Sequence, residues 1–83
     1  MKVEVTYRGA LPELLGRSSE TVEARTVSDI MAHIKSLYSK EAYREAKRML
    51  IVINGESIQL RQGYRTALSE GDRLSFLPIC GGG

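Results

Sequence analysis

The sequence predicts an α+β fold, a mixed sheet of about five strands with one main helix packed on one face. Three observations carry this. Met1 to Tyr7 alternates Val3, Val5 and Tyr7 against Lys2, Glu4 and Thr6, the period of a strand with one buried face. From Val27 the period changes, and Val27, Ile30, Met31, Ile34, Leu37 and Tyr38 recur as one helical stripe. Met49 to Ile53 is then a continuous apolar run closed by Asn54-Gly55, a dipeptide suited to the positive φ angles of a type I′ hairpin turn.

The remaining elements follow in order. Between Arg8 and Arg17, Pro12 is placed to start a helical turn and Gly16 to end it, with the leucines folding this loop onto the core. Ser18 to Arg25 resumes a β pattern, and a hairpin with the first strand is the economical pairing. The main helix has two candidate caps, Thr26 with Asp29 in capping-box spacing, and Ser28. A second turn or short helix is expected over Glu41 to Arg48, with Tyr43, Ala46 and Leu50 as inward residues. Met49 to Ile53 reads as a buried strand, Ile58 and Leu60 as its short return strand, and Arg73 to Ile79 as the last strand. The expected organisation is a domain over residues 1–79 and a flexible glycine tail over 80–83.

Composition narrows the function. Twelve Lys and Arg against ten Asp and Glu give a net charge of +2, and aromatics make up 6%, which does not describe a basic nucleic-acid module. One cysteine makes no internal disulfide and no multi-cysteine metal site. The chain opens without the apolar run of a signal peptide and has no stretch near the ~18 apolar residues of a membrane span. A cytoplasmic location, with neither nucleic acid nor membrane as partner, is the expectation.

Few residues suggest chemistry. His33 is the sole histidine and lies off the apolar stripe, so it reads as an exposed side chain without a role. No serine has a visible base, and neither phosphate-cradling glycine pattern is present, so no cofactor is expected to be bound by the chain itself. Lys40, Arg44, Lys47 and Arg48 are candidates for a partner surface, although with Glu41 and Glu45 interspersed they read first as a solvated helical face. Arg61, Arg65 and Arg73 are further candidates for a partner surface.

What remains is Cys80-Gly81-Gly82-Gly83, which follows directly on the last strand. Glycines form a thread without side chains, and the four residues, extended, reach roughly 13 Å beyond the last packed residue. A carboxylate at Gly83 is a poor electrophile until one oxygen becomes part of a leaving group, as adenylation achieves. An enzyme that does this in a closed site needs a thin, mobile chain end. Cys80 lies within reach of an activated Gly83, although a cysteine ending a strand also packs as a small hydrophobe.

Taken together, the chain resembles the ubiquitin-like β-grasp sulfur carriers, the MoaD/ThiS-type family of the molybdopterin synthase small subunit and the thiazole-synthesis carrier. The likeness rests on the first strand followed by Leu14-Leu15-Gly16, the Thr26-Val27 helix start, Ile51-Val52-Ile53-Asn54-Gly55-Glu56, and Glu70 to Pro78 running into glycines. The length is closer to the molybdopterin branch. The resemblance implies a β-grasp fold with the first and last strands side by side at the centre. It implies that Gly83 is adenylated by an E1-like enzyme using ATP and becomes a thiocarboxylate that donates sulfur, with a sulfurtransferase or persulfide donor and a sulfur-accepting synthase subunit as partners.

In that reading Cys80, Gly81 and Gly82 enter partner active sites, the chain is a co-substrate or subunit and not an enzyme, and Thr6, Phe76, Pro78, Arg61 and Arg73 are candidates for the partner surface. Pro78-Ile79-Cys80-Gly81-Gly82-Gly83 lacks the second proline that the family often has and places cysteine where an aliphatic residue is usual. Thr6-Tyr7 stands where molybdopterin-type carriers commonly have an aromatic pair. Two alternatives stay open: a protein modifier joined to lysines through the same activated glycine, and a non-conjugating β-grasp interaction module.

Overall fold

The alternation at the start of the chain becomes strand β1, Lys2–Tyr7, whose Val3, Val5 and Tyr7 are buried. These and all following coordinates come from a computed structural model that describes residues 1–79; the predicted tail, Cys80–Gly83, lies outside the described residues. Helix α1, Leu11–Leu15, follows, with Pro12 in its first turn and Leu11 and Leu15 on the core side. Gly16, at φ 77°, ends it in the left-handed conformation, and its N–H donates to the Pro12 carbonyl at 2.8 Å. Strand β2, Ser19–Glu23, returns antiparallel to β1 with Val22 opposite Val3 and Ser19 opposite Thr6.

Helix α2 spans Val27–Leu37, and the structure selects Thr26 over Ser28 as its cap. The Asp29 carboxylate accepts the backbone N–H groups of Arg25 at 2.8 Å and Thr26 at 3.2 Å, while the Ser28 hydroxyl donates to the Tyr64 carbonyl. Val27, Ile30, Met31 and Ile34 are buried against the sheet. Leu37 departs from the expected stripe and is 65% exposed, because the helix ends there and its last turn extends past the core. Helix α3, Lys40–Lys47, is capped by the Ser39 hydroxyl, which accepts the Ala42 N–H at 3.1 Å. Its inward residues are Ala42 and Ala46, with Tyr43 half-buried at the rim.

Strand β3, Leu50–Ile53, alternates between half-buried and buried residues, so only Ile51 and Ile53 face the core. The expectation of an inward Leu50 and of a strand buried on both sides is corrected accordingly: the helices cover one face of the sheet, and Leu50 and Val52 lie on the other. Asn54 at φ 50° and Gly55 at φ 87° make the predicted hairpin turn. The return strand β4 is only Glu56–Ser57. Ile58–Leu60, expected as strand, is a 3-10 turn in which the Ser57 hydroxyl accepts the Gln59 N–H at 3.2 Å and Ile58 is buried. A second 3-10 turn, Gly63–Arg65, precedes the buried Thr66, whose hydroxyl accepts the Gln62 N–H and whose carbonyl accepts the Val27 N–H.

Strand β5, Arg73–Leu77, closes the architecture. It runs parallel to β1 and antiparallel to β3, giving the order β2-β1-β5-β3-β4, with the helices against one face. This is the mixed sheet predicted from the elements, with the first and last strands central as the resemblance implies. The Asp72 carboxylate steadies the entry to β5 by accepting the Ser69 N–H at 2.7 Å and the Asn54 amide at 3.0 Å, which ties this turn to the β3–β4 hairpin. Among the described residues no helix is long and apolar enough to cross a membrane.

Phe76 requires a correction. It is 0% exposed, faces the helices and packs on the Tyr7 ring with centroids 5.7 Å apart, so it belongs to the core and not to a partner surface. Strand parity is the reason: with Leu74 and Phe76 inward, the residues of β5 open to partners are Arg73, Ser75 and Leu77. Phe76→Ala is expected to lower stability by about 3–5 kcal/mol, as for other buried phenylalanines, measured as a shift in the urea midpoint.

Candidate functional site

The face of the sheet that the helices leave uncovered carries the candidate surface. Register places Leu50 opposite Leu77, Val52 opposite Ser75, and Thr6 beside Ser75 across the parallel pair. The five side chains are half-buried and contiguous, forming an apolar patch with two hydroxyls at the end of the sheet where β5 leaves. Glu4 and Arg73, paired in register, border it on the side away from the exit.

The path of the chain beyond β5 is set by a glycine that sequence reasoning missed. Gly9, at φ 64°, lies under Pro78: a Cβ there would stand 3.3 Å from the Pro78 Cβ and 3.4 Å from the Met49 methyl. The left-handed backbone disfavours a side chain at this corner, and a Cβ would also make a tight contact to which Pro78 would have to yield by a few tenths of an ångström. The available signal was a glycine directly after a strand, but its partner is almost seventy positions away. Pro78 and Ile79 are exposed, Ile79 at 62%.

The predicted residues therefore separate. Thr6 and Arg73 lie on the open face and Pro78 at its exit, while Phe76 is inside. Arg61 is elsewhere, after β4, with its Nε 3.9 Å from Glu56. Cys80, Gly81, Gly82 and Gly83 fall outside the described residues. Leu50, Val52, Ser75 and Leu77 were not singled out, because an apolar run such as Leu50-Ile51-Val52-Ile53 conceals which residues face outward.

His33 also differs from expectation. It is half-buried and its Nε2 lies 3.1 Å from a carboxylate oxygen of Glu20, which also accepts the hydroxyls of Tyr7 at 2.5 Å and Tyr38 at 3.2 Å. The second Glu20 oxygen accepts an Arg17 N–H at 3.2 Å. This network joins β1, β2 and the end of α2, directly behind the Tyr7 ring on which Phe76 packs. Burial by itself raises the Glu20 carboxyl, but the hydrogen bonds from Tyr7, His33 and Tyr38 and the charge of His33 outweigh it and hold the group below the usual glutamate range. Burial and then the hydrogen bond to Glu20 push the Tyr7 phenol far up, and burial with the Glu20 charge raises Tyr38.

A carboxyl depressed in the folded state adds stability that is present above its ordinary value of 4.5 and is lost as pH falls through the folded value. Glu20→Gln is expected to cost about 1–3 kcal/mol at neutral pH, the scale of hydrogen bonds to a charged acceptor. The difference between wild type and variant should shrink as the solution is acidified below that ordinary value, checked by urea unfolding across the acid range.

Comparison with known proteins comes to the same place as the geometry. The family model described as the ThiS family matches residues 5–83. The comparison with curated proteins gives no match. Among solved structures, small archaeal modifier protein 1 from Methanosarcina acetivorans superposes with a TM-score of 0.84 at 23% identity, over 99% of this chain and 96% of that one. A chain of the BexX/CysO complex from Amycolatopsis orientalis gives 0.82 at 23% identity, over 98% and 99%. A chain of the complex of subunits 1 and 2 of the molybdopterin-converting factor from Helicobacter pylori gives 0.72 at 24% identity, over 99% and 100%. At these identities the likeness is one of fold, and the fold is the ubiquitin-like β-grasp. With the family match running through the open-face strands and on to the glycines, this chain belongs to the ThiS family and has the fold of a ubiquitin-like sulfur carrier.

Proposed function

We propose that this protein is a sulfur carrier whose Gly83 is adenylated by an E1-like enzyme and converted to a thiocarboxylate that donates sulfur in cofactor biosynthesis of the molybdopterin type. The observation that carries the reading is the placement of β5. The strand that leads to the glycines is held between β1 and β3, and its last residue, Leu77, lies in the apolar patch on the open face. A partner that covers Leu50, Val52 and Leu77 is thereby set at a fixed distance from the start of the thread.

The chemistry asks little of the chain beyond presentation. In the activating enzyme a Gly83 carboxylate oxygen attacks the α-phosphorus of ATP, pyrophosphate leaves, and the carboxyl becomes an acyl adenylate. The terminal sulfur of a donor persulfide then adds to the acyl carbon and AMP departs, leaving an acyl disulfide. A thiol attacks the donor's sulfur in that S–S bond, forming a disulfide with it, and the thiocarboxylate leaves with the electron pair. Gly81 and Gly82 allow the thread into the closed site, and Cys80 crosses its mouth. The carrier is a co-substrate here, and the synthase subunit that takes the sulfur is its second partner. Chain length, closer to the molybdopterin branch than to the thiazole branch, is what favours the molybdopterin type. The cytoplasm is the proposed compartment.

Purified full-length protein incubated with an E1-like enzyme, ATP and a sulfur donor is expected to gain the intact mass of one oxygen-to-sulfur exchange at its C-terminus. Deleting Gly83 should abolish the gain and leave the melting temperature unchanged. An unaltered mass under conditions that charge a known carrier would contradict the proposal, and lysines bearing a glycine remnant of this tail in cell digests would assign the chain to protein modification instead. Leu77→Asp, on the open face, should lower kcat/KM for adenylation at least about tenfold, the loss expected of a central interface anchor, while circular dichroism stays that of wild type.

A further inference from the structure

A second surface lies around the edge from the open face. Between the end of α3 and the two 3-10 turns runs a groove of about 310 Å³, with Met49, Ile51 and Ile58 among its lining residues and Lys47 and Tyr64 at its walls. The neighbouring turn residue Leu60 is 77% exposed and Tyr64 40% exposed, a concentration of apolar surface that folding does not require. Burial first, then the charge of Tyr43, raises the Tyr64 phenol.

Lys47 is the charged residue of the groove's lining, and the segment that supplies the groove is cationic. Positions 44 to 65 hold five lysine and arginine residues against two glutamates, whereas the whole chain has a net charge of only +2. The two glutamates are already engaged at 3.9 Å by Arg48 and Arg61. Among the described residues, Arg44, Lys47 and Arg65 have no carboxylate within 4.0 Å. Lys47 and Lys35 instead stand 5.3 and 5.4 Å from the centroid of the Tyr43 ring.

We propose that this groove is a docking site for an acidic segment of a partner protein, anchored by one or two apolar side chains. A cavity of this volume accepts a side chain or two and not a folded element. Lys47 in its wall and the cations of the segment that supplies it complement carboxylates flanking such an anchor, and a rim charge of this kind governs encounter rate and partner choice. The site is independent of the tail. Leu50 joins the two surfaces, since it borders the groove and pairs with Leu77 across the sheet, so a segment held here lies beside the exit of the thread without covering it.

The test uses the full-length protein and a phage-displayed random dodecapeptide library, followed by synthesis of the selected peptides. The expected result is enrichment of acid-rich sequences with an apolar residue. These should shift the amide resonances of Met49, Ile51, Gln59, Gly63 and Tyr64, and their Kd should rise at least about tenfold in Lys47→Glu and in Arg65→Glu. Both positions are exposed, and an unchanged thermal melt confirms the fold of each variant. Four outcomes would overturn the proposal: no enrichment, peptides indifferent to both charge reversals, shifts confined to Thr6, Ser75 and Leu77, or a concentration-dependent dimer abolished by Leu60→Asp, which would give the face to a second copy of the chain. None of these readouts involves activation of Gly83, so failure here and failure of the carrier reading are told apart.

Discussion

The parallel pairing of β1 with β5 is the contact on which the rest of the structure depends. It joins the two ends of the chain at the centre of the sheet, with Val5 beside Leu74 and Tyr7 beside Phe76, all four essentially without exposed surface. Parallel neighbours cannot be joined by a tight turn. The chain between them adds β2 on one side and β3 with β4 on the other, and it crosses from the first side to the second through α2 and α3, with α2 burying its apolar stripe against one face. The same pairing brings the C-terminal strand into the most constrained position available, so that residues beyond Leu77 start from a fixed point.

The sheet is used on both faces for different ends. Towards the helices, its inward residues are packed to near-zero exposure, which stabilises the fold and leaves those side chains unable to meet a partner. On the other face lie the smaller and half-buried residues Thr6, Ser75, Val52, Leu50 and Leu77, grouped by register. Apolar residues kept on an otherwise open face serve association better than folding. The Glu20 network and the Gly9–Pro78 corner support this arrangement from behind and below. One anchors the Tyr7 ring against which Phe76 packs, and the other lets the chain turn off the sheet without a clash.

In the proposed carrier role the chain is recognised by more than one protein, each of which must release it, and a patch of five half-buried residues at the end of β5 suits repeated, transient covering. The proposed docking groove would add a contact of different chemistry at the edge of β3, where the short β4 gives way to 3-10 turns.

Features governed by neighbours in sequence were legible before the structure. The Val3, Val5, Tyr7 alternation, the Pro12 and Gly16 limits of α1 and the Asn54-Gly55 turn each depend on backbone preferences acting over a few residues and each stands as read, while of the two candidate caps the structure takes Thr26 with Asp29. The order of the elements along the chain gave a mixed sheet with a helix on one face, and the resemblance to the sulfur carriers gave the β-grasp topology. Tertiary structure decided what depends on partners distant in sequence. The outward parity of Leu50 and Val52, the burial of Phe76, the seat of Pro78 on Gly9 and the engagement of His33 with Glu20 all follow from which strands became neighbours and which face the helices covered. Periodicity states that a strand has two sides. Which of them meets the core, and which is left for another protein, is fixed when the first and last strands pair.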